Sequence, residues 1–380
     1  MSAVGLDEPM VPFHAFDRRY AAWGDEILEV VREVAESDEL ILKSKVAQLE
    51  HRVAARVERE HAVAVGSGTG ALVIALSALG IGPGDEVVTP AFSFISSASA
   101  VALVGATPVF ADVDFETGLL DVEAAGAAMT DATRAVMPVH LFSCVAPMKE
   151  FRALATGRGV ALIEDSAVAL GATTDGRPAG GSGDVAVFSF YPGKPVGGIG
   201  DSGIIVTDDA TIATLCRMRR NHGQDTTTRF LHHSLGWNSR MDEVCAAFLL
   251  RRLPHLDAWL DRRRALAEAY QALLEPLEPE VARPPGTFSG RAVYTYVIRA
   301  PRREELREHL RRRGVETVVY YPRPLHLQPV FSELGYRPGD FPVAERLARE
   351  CLALPLYPEM ADSELEYVAR GVTEFYGGVA

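Results

Sequence analysis

The sequence predicts an α/β protein whose larger part is a mostly parallel, seven-stranded sheet between layers of helices. The strand candidates are nearly all apolar, as is typical of strands buried on both faces, and helical stretches separate several of them. The pattern changes after about residue 240 and predicts a smaller C-terminal α+β unit. The strand candidates are residues 62–65, 86–89, 107–111, 135–139, 160–164, 184–189 and 203–207.

The helices divide the chain into the same two parts. A charged helical segment at 17–60 is followed by helices expected near 69–79, 93–104, 147–156 and 210–221. Residues 241–275 have leucines at helical spacing, and Pro254 is expected to kink this long helix. The C-terminal unit continues with strands at 292–299 and 315–320 and helices at 302–313, 343–353 and 362–375. We therefore expect a large domain over residues 1–250 and a small domain over residues 251–380.

Composition argues against several classes of protein. Lys and Arg total 38 and Asp and Glu total 51, so the 380-residue chain has a formal charge of −13, and an acidic surface repels nucleic acid. No apolar run is long enough to span a bilayer, and the N-terminus lacks the features of a signal peptide. Four scattered cysteines indicate reduced thiols in a cytoplasmic protein. The adjacent His232 and His233 have no further ligand at suitable spacing, so we expect no metal site.

A glycine cluster, Gly66-Ser67-Gly68-Thr69-Gly70, lies between a predicted strand and an apolar helix. Backbone N–H groups and the positive end of a helix dipole meet at such a place, which predicts an anion site. The run also fits a dinucleotide-binding fingerprint, but that motif requires an acidic residue at the end of the next strand, which reads Thr89-Pro90-Ala91-Phe92. The pattern therefore favours another phosphate over a nicotinamide dinucleotide or a purely structural turn.

Two further features place a carboxylate and an amine at or after the C-terminal ends of predicted strands. Glu164-Asp165 ends an apolar strand, where active-site groups of α/β sheets gather, although a lone Asp there could equally be a helix cap. Lys194 lies in an apolar, glycine-rich loop, where desolvation can make a lysine a nucleophile, although a surface lysine would fit the loop alone. Together, a phosphate site, an anion and an amine match the needs of pyridoxal phosphate.

The chain resembles the DegT/DnrJ/EryC1/StrS family of fold-type-I pyridoxal-phosphate enzymes, which are mainly nucleotide-sugar aminotransferases. The resemblance covers nearly the whole chain and keeps the order and spacing of its motifs. These include GSGTGALVIAL, GDEVVTPAFSFISSASAV, PVHLFS, LIEDSAVALGA, GDVAVFSFYPGKPVGGIGDSG, LGWNSRMDEVCAAFL and YYPRPLHLQPVF. It implies a large cofactor-binding domain and a small C-terminal domain.

The resemblance also implies the roles of individual residues. Lys194 would form the Schiff base with the cofactor and move the proton in transamination, and Asp165 would pair with the pyridine nitrogen. Phe94 would stack on the cofactor ring. The phosphate would be held by a set of small and polar residues, namely Gly68, Thr69, Gly70 and Ser189.

Other implied roles concern the substrate and a second subunit. Asn238 would reach the phosphate in the neighbouring subunit, which implies a homodimer with shared active sites. Tyr320, Tyr321 and His326 lie on the segment that approaches the sugar. Arg240 and Arg229 are candidates for the diphosphate of the nucleotide. The stretches Arg262-Arg263-Arg264 and Arg311-Arg312-Arg313 are expected to be solvated helix faces, with a diphosphate contact as the alternative, and the sequence does not choose among the candidates.

Two positions depart from the family pattern. Val168 stands where the family commonly has a Gln that can bond the ring hydroxyl of the cofactor, and Leu170 stands where a His is common. These residues predict a less polar pocket wall. Dehydratase relatives replace the Schiff-base lysine with His, so Lys194 favours transamination.

The sequence thus predicts a cytoplasmic, homodimeric, pyridoxal-phosphate-dependent aminotransferase. L-Glutamate is the expected amino donor, and dTDP-4-keto-6-deoxy-D-glucose of antibiotic-sugar biosynthesis is the expected acceptor. A 3-keto nucleotide sugar or a keto-cyclitol is the alternative acceptor. A pyridoxal-phosphate-binding regulator without turnover and a Rossmann oxidoreductase are the alternatives of other classes, although residues 1–60 contain no basic recognition helix.

Overall fold

A computed structural model describes residues 11–174 and 176–377, apart from the side chain of Thr174. In these ranges the strands are β1 (His61–Val65), β2 (Glu86–Pro90), β3 (Thr107–Ala111), β4 (Thr133–Val136), β5 (Ala161–Asp165), β6 (Thr173–Thr174), β7 (Arg177–Pro178), β8 (Val185–Ser189), β9 (Gly203–Thr207), β10 (Tyr296–Arg299) and β11 (Cys351–Leu354).

The helices of the same ranges lie between and around these strands. They are α1 (Phe16–Ala21), α2 (Gly24–Ser37), α3 (Ser44–Arg56), α4 (Gly68–Ala78), α5 (Ser96–Leu103), α6 (Val122–Ala128), α7 (Met148–Arg158), α8 (Ala210–Arg219), α9 (Glu243–Arg252), α10 (Leu256–Leu274), α11 (Arg303–Arg312), α12 (Pro342–Glu350) and α13 (Asp362–Phe375). Short 3₁₀ turns cover Leu253–His255, Glu275–Leu277, Leu325–Leu327 and Pro329–Leu334.

The large sheet confirms the predicted fold class. Its strand order is β1-β9-β8-β5-β4-β2-β3, and β9 runs antiparallel to both β1 and β8, whereas the other neighbours pair in parallel. Strands β5 and β8 are adjacent, so Asp165 and Ser189 end at the same edge of the sheet. That edge is where the candidate site lies.

Helices cover both faces of this sheet because alternate strand residues point to opposite sides. In β9, Ile204 and Val206 pack in a core that contains residues of α3 and α9. Ile205, between them, packs in a core that contains residues of α4 and α8. The all-apolar strands predicted from sequence are therefore buried on two sides.

The smaller unit is built on an antiparallel pair of strands, β10 and β11. Its core combines residues of α10, α11 and α13 with both strands, and it also includes Val11 and Ala15 from the N-terminal part of the chain. The N-terminal segment therefore packs with the C-terminal unit before the chain enters the large sheet. The boundary at residues 250/251 stays a prediction.

Several elements differ from their predicted bounds. The strand expected at 292–299 begins only at Tyr296, and the helix expected at 343–353 ends at Glu350. Cys351–Leu354 forms β11 instead, because its buried apolar run pairs with β10. The long helix expected at 241–275 is interrupted by the 3₁₀ turn at Leu253–His255, where Pro254 removes a helical hydrogen bond. Helix α6 was not anticipated.

Two negative findings apply to the described residues. No helix there is both long and apolar enough to span a bilayer. The same residues contain no group of three or more His, Cys, Asp or Glu side chains that could hold a metal ion.

Candidate active site

A cavity of about 610 Å³ opens at the edge of the sheet where β5 and β8 end. The N-terminus of α4, the loop before α5, the loop after β8 and the segment around residue 320 form its walls. The structure thus brings together residues from distant parts of the chain. The sequence-predicted residues that line it are Gly68, Thr69, Phe94, Asp165, Ser189, Lys194, Tyr320 and Tyr321.

The first turn of α4 forms one wall of the cavity and can accept an anion. The Ser67 hydroxyl caps the helix by accepting a hydrogen bond from the Gly70 N–H at 3.0 Å. The other N–H groups of a first helical turn have no partner within the helix, so they can bind a phosphate. A Cβ on Gly68 would lie 2.8 Å from the Cβ of Ser189, so glycine is required for this close approach. Thr69 Oγ1 lies 2.7 Å from the Oγ atom of Ser96, which also lines the cavity and was not predicted as a site residue.

Asp165 is buried at the cavity wall with little to satisfy its charge. Its carboxylate accepts a hydrogen bond from the Ala167 N–H at 3.1 Å, and no other donor to it is found among the described residues. Burial raises the pKa of Asp165 above its ordinary value, against the opposing effects of the Ala167 N–H and the charges of Lys194 and His140. A buried carboxylate in this state favours a cationic partner, and a protonated pyridine nitrogen would be such a partner.

Glu164, the neighbour of Asp165, has the opposite environment. Its carboxylate accepts hydrogen bonds from the backbone N–H groups of Gly180, Ser182 (3.1 Å) and Gly183 (3.0 Å). It also lies 2.8 Å from His140 Nε2. Burial opposes ionisation of Glu164, but His140 and the backbone N–H groups outweigh it and lower its pKa to about 2.

His140, the partner of the Glu164 carboxylate, also lines the cavity. The Ala146 N–H donates to His140 Nδ1 at 3.0 Å, so the hydrogen of a neutral ring is on Nε2 and is donated to Glu164. His140 is a site residue that was not predicted from sequence. The available signal was the PVHLFS run together with a second acid beside Asp165, since a buried acid needs a partner.

Lys194 lies over the face of an aromatic ring. Its Nζ atom is 4.6 Å from the centroid of the Tyr294 ring, which is a favourable position for an amine that carries charge. Burial raises the pKa of Tyr294 to about 12, although the charge of Lys194 opposes this shift. Tyr294 was expected only as a strand residue, because its contact with Lys194 joins positions 100 residues apart.

The two departures from the family pattern lie in different surroundings. Val168 lines the cavity, as the expected apolar wall requires. Leu170 is 4% exposed and packs in the core beside α3 and α9, and it is not among the residues lining the cavity. The less polar wall is therefore a property of Val168.

Four residues of the predicted site do not line the cavity. Gly70 lies in the first turn of α4, where a Cβ would come within 2.7 Å of Ser239 Oγ. Asn238 is exposed and pairs through a backbone bridge with Asn221. The remaining two make contacts elsewhere: Arg240 Nη1 lies 3.4 Å from Asn221 Oδ1, and the buried His326 lies 3.3 Å from Glu345 Oε1. The predicted roles of these four residues stay predictions.

A helix N-terminus that can bind an anion, a buried carboxylate with a single hydrogen-bond donor and a lysine in one cavity of an α/β fold are the groups that a pyridoxal-phosphate enzyme requires. The chain belongs to the DegT/DnrJ/EryC1/StrS aminotransferase family, whose model matches residues 22–373. It is therefore an aminotransferase, and its cofactor is pyridoxal phosphate.

Individual relatives are similar over almost their whole length. A pleiotropic regulatory protein of Geobacillus stearothermophilus is 43% identical over 96% of this chain and 98% of its own. A dTDP-3-amino-3,4,6-trideoxy-alpha-D-glucose transaminase of Streptomyces venezuelae is 40% identical, covering 97% of each chain. Among solved structures, S. venezuelae DesV in complex with a ketimine intermediate is 40% identical, with a TM-score of 0.93 over 98% of this chain and 100% of DesV.

Proposed function

We propose that this enzyme transfers an amino group from L-glutamate to the keto group of a nucleotide-linked deoxysugar, in the cytoplasm and in antibiotic-sugar biosynthesis. The observation that carries the proposal is the placement of Lys194 and Asp165 in one cavity with the N-terminus of α4. The name of the S. venezuelae relative supports a nucleotide-sugar substrate.

The predicted cofactor-binding residues of the cavity have separate parts in this proposal. The first turn of α4 and the Ser189 hydroxyl hold the cofactor phosphate, and the exposed ring of Phe94 stacks on the pyridine ring. Asp165 would hold the pyridine nitrogen in its protonated form, because its buried carboxylate has a single hydrogen-bond donor, the Ala167 N–H, and can accept another. The bound cofactor supplies an electron sink for the negative charge that develops on carbon. Lys194 would bind the cofactor through its amine, and the same amine would carry the proton between the substrate carbon and the cofactor carbon C4′.

The position of the keto group has two candidates. Overall resemblance favours carbon 4, and a 3-keto nucleotide sugar or a keto-cyclitol is the alternative. The name of the S. venezuelae relative, which is a 3-amino sugar transaminase, supports carbon 3. Both acceptors therefore enter the test.

The test has a spectroscopic and a preparative part. We expect the purified protein to be yellow with bound pyridoxal phosphate, and its visible absorbance to fall when L-glutamate is added as 2-oxoglutarate forms. The glutamate-treated enzyme is then offered a panel of 3-keto and 4-keto nucleotide sugars. Amination of one panel member identifies the acceptor, whereas a colourless protein that binds nicotinamide would overturn the proposal.

A regulator without turnover is the second candidate, because one relative has a regulatory name. The two functions differ in the glutamate reaction. A regulator would hold the cofactor without forming 2-oxoglutarate, and it would aminate no member of the panel. The cavity with both Lys194 and Asp165 supports the enzyme.

We also propose a homodimer in which Asn238 completes the site of the other subunit. Asn238 lies on an exposed segment with large apolar side chains at its surface, which favours a protein contact. Phe230 is 74% exposed and Leu235 is 93% exposed. Arg229 and Arg240 flank this segment and are candidates for the diphosphate of the substrate.

Mixing two variants tests the shared site. Lys194→Ala and Asn238→Ala chains are unfolded together and refolded as a mixture. A mixed dimer then contains one site with both native residues, so we expect the mixture to be more active than the mean of the two homodimers. Activity equal to that mean would show that each subunit has a self-contained site.

A further inference from the structure

The loop that carries Lys194 receives few hydrogen bonds from its own backbone. Within residues 190–203 the Lys194 N–H donates to Tyr191 O at 2.8 Å, the Gly198 N–H donates to Phe190 O at 2.7 Å, and the Phe190 N–H donates to Ser202 O at 2.8 Å. Most of the loop is buried, and buried carbonyl groups need donors from elsewhere. The position of Lys194 therefore depends on side chains that approach the loop from outside.

Long side chains provide these donors. Arg19 Nη1 donates to Pro192 O at 2.7 Å, and the Tyr20 hydroxyl donates to Gly198 O at 2.6 Å. Both residues belong to α1, at the N-terminal end of the described chain. From the other side, Arg252 Nε donates to Val196 O at 2.8 Å.

Arg19 is an unusual residue for such a position. It is only 4% exposed, and its nearest carboxylate oxygen, on Glu359, is 3.5 Å from its Nε atom. Removing a guanidinium from water is costly unless its hydrogen bonds are made. An apolar residue would fill the same space without that cost, so the arginine is explained by the two partners that it holds together, the Pro192 carbonyl of the lysine loop and the Glu359 carboxylate.

The other end of the same segment is fixed to the C-terminal unit. Val11 bridges to Val315, with the Val11 N–H donating to Gly314 O at 3.1 Å and the Glu316 N–H donating to Val11 O at 3.0 Å. The Phe13 N–H donates to the Glu316 carboxylate at 3.0 Å.

Arg18 adds a second tie to the C-terminal unit. Its guanidinium makes two hydrogen bonds to the Glu364 carboxylate, at 3.0 and 2.8 Å. Residues 11–21 thus form a strap that spans from the C-terminal unit to the lysine loop. The strap precedes residue 22, where the match to the family model begins.

We propose that Arg19 and Tyr20 are positioning residues that hold Lys194 at the cofactor through the carbonyl groups of its loop. The inference rests on the role of Lys194 in the proposed function. The strap makes the position of the lysine depend on the C-terminal unit, since the same segment contacts both.

The test uses Tyr20→Phe, with Tyr367→Phe as its matched control. Each variant loses one tyrosine hydroxyl that donates to a backbone carbonyl, and Tyr367 donates to Arg313 O at 3.0 Å in the C-terminal unit. We expect Tyr20→Phe to lower kcat about five- to tenfold, as the loss of one hydrogen bond implies, with KM for the amino donor unchanged. Tyr367→Phe should keep the wild-type kcat.

A second measurement does not depend on activity. In hydrogen–deuterium exchange of the cofactor-free protein, amides in the peptide covering residues 190–203 should exchange faster in Tyr20→Phe than in Tyr367→Phe. Arg19→Met should show the larger effect and Arg19→Lys a smaller one, because lysine retains a donor for Pro192 O. If Arg19→Met does not fold, the comparison of Tyr20→Phe with Tyr367→Phe still tests the proposal.

The outcomes separate this inference from the proposed function. An unchanged kcat and unchanged exchange of the loop in Tyr20→Phe, with wild-type enzyme that reacts with glutamate, would overturn the positioning role alone. A wild-type enzyme that does not react with glutamate, while loop exchange still increases in Tyr20→Phe, would overturn the proposed function and leave the structural role of the strap.

Discussion

Glu164 and Asp165, two adjacent acids at the end of β5, are both buried, but they lie on opposite sides of the strand and have opposite environments. On the far side, the Glu164 carboxylate accepts hydrogen bonds from three backbone N–H groups and from His140, and its pKa falls to about 2. On the cavity side, Asp165 accepts a hydrogen bond from Ala167 N–H, and burial raises its pKa. A buried carboxylate with few hydrogen-bond donors indicates a site for a ligand, whereas one with a full set of donors indicates a structural role.

The residues that follow show the same contrast. Val168 lines the cavity, and Leu170 packs in the core. Substitutions on the cavity side should therefore change cofactor chemistry, and those on the far side should change stability.

The largest effect is expected at the cavity-side lysine. Lys194→Ala should lower turnover by about 10³-fold or more, because it removes both the covalent anchor and the base. The variant should still bind pyridoxamine phosphate, since the phosphate site at α4 is separate. Steady-state kinetics and a binding titration check these outcomes. Lys149→Ala, which removes an exposed lysine on α7, is the matched control, and wild-type turnover by Lys194→Ala would contradict the assignment.

Asp165→Asn should lower kcat by about 10²-fold, because it removes a preorganised charge at the reacting group. The cofactor-free variant should be more resistant to urea than the wild type, by about 1 kcal/mol, since a poorly satisfied buried carboxylate is gone. A parallel loss of stability and activity would show that Asp165 serves the fold instead.

Glu164→Gln should have the reverse profile. It breaks a buried network of charged hydrogen bonds, so the free energy of unfolding should fall by about 3 kcal/mol. Urea denaturation of the cofactor-free protein measures this change, with Asp165→Asn as the neighbouring control. An unaltered midpoint would contradict the structural role of the network.

The pH dependence of stability sharpens the same contrast. The pKa of Glu164 is lowered from 4.5 to about 2, so the folded state favours its ionised form. Its contribution to stability is present above pH 4.5 and is lost as the pH falls towards 2. The Glu164→Gln variant should therefore lose less stability than the wild type across this window. Identical slopes for the two proteins, measured by urea denaturation at several pH values, would show that Glu164 is not the titrating group.

The smallest effect is expected at the departures from the family pattern. Val168→Gln adds a donor at the cavity wall and should tighten cofactor binding about fivefold, the value of one added hydrogen bond. Leu170→Gln, its control, buries the same amide in the core and should destabilise the protein without tightening binding. Cofactor titrations and urea midpoints distinguish the two variants. Equal cofactor affinities and equal midpoints would contradict the placement of Val168 at the cavity and Leu170 in the core.

Much of the fold could be predicted from sequence because its signals are local. The apolar runs of β5, β8 and β9 and the glycine cluster before α4 predict buried strands and a helix terminus within a few residues of each position. The C-terminal unit was less predictable. Cys351–Leu354 reads as the end of a helix, and it becomes a strand only because β10 lies beside it.

The candidate site shows the same limit. Lys194, Asp165 and Thr69 could be selected because each lies in a motif with a characteristic neighbour. Tyr294 could not be assigned, since its contact with Lys194 joins distant parts of the chain. The signal for His140 was indirect, because it depends on the need of the buried Glu164 for a partner.

The sequence by itself determined the fold class, the family and the chemical groups available for catalysis, because periodicity and motifs are properties of neighbouring residues. Only the tertiary structure decided that Glu164 has several hydrogen-bond donors and that the adjacent Asp165 has one. It also placed Arg19 and Tyr20 on the carbonyl groups of the lysine loop. Burial and hydrogen-bond partners are set by segments that meet in space, so no local pattern can specify them.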